Sequence, residues 1–289
     1  MIFTKILGFL SILLVGFVET FVLPPLAVTK YGFVLGTKRV LPSGKQVDFF
    51  QKVPFAKPPI GNLRFEKPVP PDPWGFVNSS SPIVSCVQFS GSTAGSEDCL
   101  YMTIARPEVP SLNGGYPVMV HIFGGGFITG SSSSYNSVDA NDRFVTQGII
   151  LVTFNYRLGP LGFYTTGDSN ALGNYGIWDQ IRALEFIQET IRGFGGNPNK
   201  VTVFGNSAGG LSATWLSYSP HSKGLFQRII PYCGTCQSGM AFSQHTLKYS
   251  KQLEETLGCG TVQDKKSCLK TKNLTEILLA GKVRVPIFF

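Results

Sequence analysis

The segment Gly205-Asn206-Ser207-Ala208-Gly209 has the pattern Gly-x-Ser-x-Gly and directly follows the apolar run Val201–Phe204. A serine on a sharp strand-to-helix turn sits in a strained backbone conformation. The positions two before and two after it must be nearly free of side chain, a demand that Gly205 and Gly209 meet. Such a turn lifts the hydroxyl to a helix N-terminus, where backbone N–H groups and the helix dipole favour a developing anion. The chemistry predicted is nucleophilic attack by Ser207; the plain alternative is a glycine-rich turn that happens to contain serine. A second piece, Phe123-Gly124-Gly125-Gly126-Phe127, ends another apolar run and offers successive N–H groups with no side chains in the way. That suits an oxyanion hole completed by the N–H after a nucleophile. A flexible loop or a phosphate cradle would also use glycines, but the Lys-Ser/Thr that follows in a P-loop is absent.

A serine hydroxyl needs an imidazole to remove its proton and an acid to orient that imidazole. On a turn of this kind the chain order is serine, acid, histidine. Only His221 and His245 follow Ser207, and no Asp or Glu lies between Ser207 and His245. The later acids, Glu254, Glu255, Asp264 and Glu276, have no histidine after them. His121 reads as a core or sheet residue, His221 as a turn residue and His245 as part of a polar helix-like segment. No complete triad can be drawn within these residues.

The elements that must position this chemistry follow from hydrophobic pattern. Val118–Phe123, Ile149–Phe154 and Val201–Phe204 are too short for helices and rich in β-branched residues, which predicts strands buried on both faces. Ile177, Ile181, Leu184, Ile187 and Ile191 recur at helical spacing, and Phe194-Gly-Gly-Asn-Pro198 ends that helix. Strand, helix, strand is the parallel α/β unit. A helix over Ala208–Tyr218 and a strand over Arg228–Tyr232 come next. Earlier in the chain, Tyr31–Val40 and Lys45–Val53 read as strands about a turn at Pro42–Gly44. The proline-rich stretch Pro54–Trp74 is expected to run extended over the surface.

These residues resemble the type-B carboxylesterase/cholinesterase branch of the α/β-hydrolases, from about Thr29 to at least Cys268. The likeness is carried by Val53-Pro-Phe-Ala-Lys-Pro-Pro59 with Leu63-Arg-Phe65, by Ser96-Glu-Asp-Cys-Leu-Tyr101 and by Gly124-Gly-Gly-Phe127. Asn155-Tyr-Arg157, Gly173-Asn-Tyr-Gly176 with Asp179-Gln180, Phe194-Gly-Gly196 and the turn at Ser207 extend it. The resemblance implies an α/β-hydrolase fold with a mostly parallel central sheet flanked by helices. It implies Ser207 as nucleophile, the N–H groups of Gly125, Gly126 and Ala208 as oxyanion donors, and Cys86–Cys99 and Cys259–Cys268 disulfides. The implied activity is hydrolysis of a small-molecule carboxylic ester through an acyl-enzyme, with no cofactor and no metal. Three positions depart from the family pattern: Asn206 where Glu is usual, Phe123 where His or Tyr is frequent, and Cys233 in place of serine. Residues 87–98 hold no tryptophan of the choline-binding kind, which argues against a cholinesterase. Related domains run to nearly twice this length, with acid, histidine and further strands in their second half. The chain is therefore expected to be an N-terminal portion, truncated at its C-terminal side and nearly inactive alone. A non-catalytic binding or adhesion module of the same fold is the alternative.

Thirteen uncharged, mostly apolar positions, Ile6–Val18, follow Lys5, the outline of a signal peptide over residues 1–23. Residues 24–289 then form one domain, secreted or in the secretory lumen, with no stable membrane span after leader removal. Six cysteines fit that route. Cys86 with Cys99 and Cys259 with Cys268 are the locally plausible pairs, each closing a short polar loop. Cys233-Gly-Thr-Cys236 has redox-motif spacing, although a local bridge or two buried thiols is the plainer reading. Asn78-Ser-Ser and Asn273-Leu-Thr are glycosylation sequons. The charge of +8 is dispersed, which suits a solvated surface rather than a nucleic-acid partner. With 43% hydrophobic and 15% charged residues, the chain is not of disordered composition.

Overall fold

In a computed structural model describing residues 23–89, 93–111, 114–135, 138–243 and 245–281, the apolar bursts become the middle of one sheet. The first strands are β1 (Leu26–Thr29), β2 (Gly32–Leu35), β3 (Thr37–Val40), β4 (Gln46–Pro54), β5 (Phe76–Asn78) and β6 (Gln88–Phe89). They are followed by β7 (Thr93–Ala94), β8 (Tyr101–Pro107), β9 (Tyr116–Ile122), β10 (Ile150–Phe154), β11 (Gly196–Asn206) and β12 (Arg228–Tyr232). Seven of them form the central sheet in the order β12-β11-β9-β10-β8-β4-β3. The pairings β12/β11, β11/β9 and β9/β10 are parallel, whereas β10/β8, β8/β4 and β4/β3 are antiparallel. The sheet is thus mixed, and its parallel half is the one reached by the serine and glycine motifs. β1, β2 and β5 make a small separate sheet.

Seven helices are described: α1 (Val138–Phe144), α2 (Gly159–Phe163), α3 (Tyr175–Thr190), α4 (Ala208–Tyr218), α5 (Thr246–Thr256), α6 (Lys265–Lys270) and α7 (Leu274–Gly281). The period-two geometry of a strand sorts β10 onto two cores. Ile150, Val152 and Phe154 join Val118, Val120, Val201 and Val203 under α3, whose Ile181, Leu184 and Ile187 are buried there with Ile191 beyond its end. Leu151 faces the other way, into a cluster with Phe49, Ala105 and Phe204 beneath Ala140 of α1. A third cluster gathers Phe65, Tyr164, Leu253, Leu269 and Ile277 where α5, α6 and α7 pack beside α2.

Two expectations need correction. The Pro54–Trp74 stretch is not simply a surface segment: Phe55 and Phe65 are fully buried and Arg64 nearly so. Prolines exclude regular structure but leave neighbouring aromatics free to plug the core. β11 also begins earlier than its apolar burst. Gly196 is already paired with Tyr116 ahead of a bulge that ends at Val201. At that position a Cβ would lie 2.6 Å from the Ile191 side chain. The expected leader, residues 1–23, lies outside the described residues except for its last position, and the C-terminal run 283–289 lies wholly outside them.

Candidate active site

β11 ends at Asn206 and α4 starts at Ala208, so a single residue, Ser207, makes the whole turn. Its φ of 53° and ψ of −123° lie in a region that L residues avoid. The turn is held from both sides. The Ser207 N–H donates to the Tyr232 carbonyl at 3.3 Å, and its own carbonyl accepts from Leu211 N–H at 2.9 Å. A Cβ on Gly205 would come within 2.6 Å of both the Ile122 carbonyl oxygen and the Gly209 backbone, and one on Gly209 would overlap Ile122 outright. The pattern's two glycines are therefore consumed by packing of α4 across the end of β9. Ser207 itself is half-exposed.

The glycine loop leaves β9 immediately beside this turn, since Ile122 is the register partner of Gly205. A Cβ on Gly124 would stand 3.1 Å from Ser207 Cβ and 2.6 Å from the Asn206 carbonyl oxygen. The loop backbone thus lies against the serine side chain. Gly125 and Gly126 take φ of 117° and 63°, and the Gly125 carbonyl is turned inward, accepting from Ile128 and Thr129 N–H at 3.1 and 3.0 Å. Among the described residues, none accepts a hydrogen bond from the N–H of Gly125, Gly126 or Ala208.

Three side chains fasten this loop, and sequence reasoning missed the role of each. The Tyr156 hydroxyl, on a fully buried ring, donates to the Phe123 carbonyl at 2.8 Å. Gln88 pairs with Gly130 in both directions, donating to its carbonyl at 3.0 Å and accepting its N–H at 2.8 Å. Within the loop itself, the Thr129 hydroxyl donates to the Gly125 carbonyl at 3.5 Å. Tyr156 belongs to Asn155-Tyr156-Arg157, which was visible as a motif without an assigned task. Asn155 bonds Ser132 N–H and the Val84 and Cys99 carbonyls. Arg157 forms a buried two-point pair with Asp179 at 2.8 and 2.7 Å, and its N–H adds a third bond at 3.0 Å. Gln180 next to it reaches the Ser212 hydroxyl of α4 at 3.0 Å, joining α3 to the helix that carries the turn. Gln88 carries no sequence signal, because its partner is backbone 42 residues away.

No described histidine is placed to serve Ser207. His121 is buried on β9, stacked 3.7 Å from the Tyr135 ring and beside Phe204, and its Nδ1 has no partner. Burial pushes its imidazole down to about 3, so it is neutral at physiological pH. His221 lies beyond the far end of α4, against Trp178, with about 16 Å of helix between it and the serine. His245 precedes α5 and faces Tyr249. These are the sheet, turn and helix-edge settings expected from the sequence.

A family model described as "Carboxylesterase family" matches residues 24–287. The chain belongs to that family. It is 39% identical over 267 residues to gut esterase 1 of Caenorhabditis elegans, covering 90% of this chain and 46% of that protein. It is 40% identical over 267 residues to juvenile hormone esterase of Tribolium castaneum, covering 88% and 45%. Bile salt-activated lipase of Bos taurus is 38% identical over 268 residues, covering 88% and 44%. The chain thus spans about half the length of the curated relatives it matches. Membership in the carboxylesterase family brings the α/β-hydrolase fold, and the mixed sheet flanked by helices agrees with it.

The remaining candidate residues fall as follows. Cys86–Cys99 and Cys259–Cys268 are disulfides, with Cα atoms 4.9 and 5.8 Å apart. Cys233 and Cys236 correct the plainer reading: they are neither bridged nor buried, Cys233 being exposed and Cys236 half-exposed. Asn78 and Asn273 are both exposed, and each side-chain oxygen accepts a backbone N–H two residues on. Among the described residues no cluster of three His, Cys, Asp or Glu side chains could hold a metal, and no helix is long and apolar enough to cross a membrane.

Proposed function

We propose that this chain carries the nucleophile half of a serine carboxylesterase. Ser207 attacks the carbonyl carbon of a small-molecule carboxylic ester. The N–H groups of Gly125, Gly126 and Ala208 receive the oxyanion, and the alcohol leaves with a proton. Water then opens the acyl-enzyme. The observation that supports this most is the close approach of the loop backbone at Gly124 to Ser207, where a Cβ would stand 3.1 Å from the serine Cβ; it sets a strained serine beside amides with no acceptor among the described residues. Losing one such donor costs roughly 10²–10³ in rate elsewhere, so the loop is a substantial part of the machinery proposed here. The α4 N-terminus adds a favourable dipole.

The proton acceptor is the part this reading takes from outside the described residues. Without an imidazole and its acid, a serine of this kind retains only the ~10³–10⁴-fold advantage of binding and hole, and the chain alone is proposed to turn over esters feebly. Asn206, where an acid is usual, favours a non-catalytic module as the second reading. Entry to the secretory pathway through a leader over residues 1–23, and glycans at Asn78 and Asn273, belong to the proposal. No nucleic-acid partner is part of it. The test is labelling with a fluorophosphonate, with protein expressed from the complete reading frame and peptide mapping as readout. Adduct at Ser207, absent in Ser207→Ala, supports the esterase; a fully folded protein that takes no adduct leaves only the binding module.

A further inference from the structure

The Cys233-Gly234-Thr235-Cys236 segment is not used by the ester chemistry, yet it is built against the nucleophile turn. Cys233 follows Tyr232, whose carbonyl accepts the Ser207 N–H. A Cβ on Gly234 would lie 2.6 Å from the Ser207 carbonyl oxygen, so the glycine between the thiols rests on the serine backbone. The two thiols differ in setting. Cys233 is exposed, at φ 57°, while Cys236 is half-exposed and has its N–H tied to the Thr214 hydroxyl of α4 at 2.9 Å. Ser238 N–H to the Thr235 carbonyl, 2.9 Å, already folds the segment into a turn. No metal-ligand cluster exists among the described residues to claim the pair.

We propose that Cys233 and Cys236 form a thiol–disulfide exchange site for a small disulfide of the glutathione class, with Cys233 as the attacking thiol and Cys236 as the resolving one. Cys233 loses its proton and attacks one sulfur of glutathione disulfide. A protein–glutathione mixed disulfide forms, and one glutathione leaves with that proton. Cys236 then loses its proton and attacks the Cys233 sulfur, closing an intramolecular disulfide and releasing the second glutathione. Two protein thiols are oxidised and one glutathione disulfide is reduced. Exposure selects the order, because the incoming disulfide must reach Cys233 first. Gly234 already rests on the Ser207 backbone while both thiols are free, so the exchange site adjoins the serine turn in its reduced state.

The experiment starts from folded protein kept in reduced glutathione, transfers it to oxidised glutathione, blocks residual thiols and maps the peptides by mass. The expected result is loss of both free thiols with a Cys233–Cys236 linkage, reversed on return to reduced glutathione while Cys86–Cys99 and Cys259–Cys268 persist. In Cys236→Ser the mixed disulfide should accumulate at Cys233. Thiols that stay open to alkylation, adducts that never close in the wild type, or a 233–236 bridge that reduced glutathione cannot open each overturn the proposal. The wild-type maps decide the matter if the serine variant fails to fold. None of these readouts depends on esterase activity, so the proposal stands or falls apart from that of the active site.

Discussion

The hydroxyl of Tyr156 and the carbonyl of Phe123 meet at 2.8 Å beneath the start of the glycine loop, their rings stacked 4.3 Å apart. Burial raises the Tyr156 hydroxyl far above its ordinary titration range, so it remains a donor at every physiological pH. Tyr156→Phe leaves the ring and strands a buried carbonyl. The expected loss is about 1–3 kcal/mol in urea unfolding, with slower fluorophosphonate labelling of Ser207. Unchanged stability would show that the bond is not holding the loop.

Ser207→Gly should stabilise the fold while abolishing labelling. Relief of a left-handed φ is worth about 1–3 kcal/mol, against the ~0.5–1 kcal/mol that a glycine adds to the flexibility of the unfolded chain. A rise in the urea midpoint at unchanged slope checks this. A fall would mean that the serine side chain makes contacts outweighing the strain.

Gly209→Ala places a methyl group into the Ile122 carbonyl, which is backbone and cannot swing aside. A loss of about 1–3 kcal/mol or more is expected. Ala213→Gly, further along the same helix, should cost only the ~1 kcal/mol of helix propensity plus its small buried methyl group. Comparable losses from both would remove the argument that α4 is pressed onto β9 at the turn.

Asp179→Ala leaves the Arg157 guanidinium buried without its carboxylate. The expected cost is about 3–5 kcal/mol, enough to unfold a marginal domain. Because Arg157 also bonds the Glu66 carbonyl at 2.8 Å, hydrogen exchange in the 54–74 segment should rise with it. Exchange there that is indifferent to the substitution would separate the two.

His121 gives the acid limb of stability a particular slope. Its folded value is about 3 while the unfolded chain protonates near 6.5. Between those limits the unfolded state binds the extra proton, and stability falls as pH falls, by up to about 1.4 kcal/mol per pH unit. Above the unfolded value the effect vanishes. His121→Phe should flatten that limb by this amount in denaturant midpoints taken from pH 4 to 7. An identical limb in wild type and variant would assign the acid sensitivity to other groups.

Much of this architecture could be read in advance, and the reasons are local. β12 and α4 carry their bounds in the sequence, because Arg228–Tyr232 and Ala208–Tyr218 lie between clear breakers. The elbow and loop were legible because glycine is demanded by close approach, a requirement that writes itself into residue type. Gln88, Tyr156 and the buried role of Phe65 were not, since each acts on backbone or core far away in the chain. The extended stretch after Pro54 misled for a related reason. Proline dictates the path of the main chain and says nothing about where Phe55 points.

Asn155, Tyr156 and Arg157 are consecutive, and each is bolted to a different part of the fold, Arg157 to Asp179 of α3. A tripeptide anchored at three divergent points has no direction in which it can creep without breaking something. Its stiffness is exported 33 residues along the chain to Phe123 and so to glycines that possess no side chains with which to brace themselves. The poise of the amides around Ser207 is therefore borrowed, and a mutation that touches neither the serine nor the glycines would still blunt it.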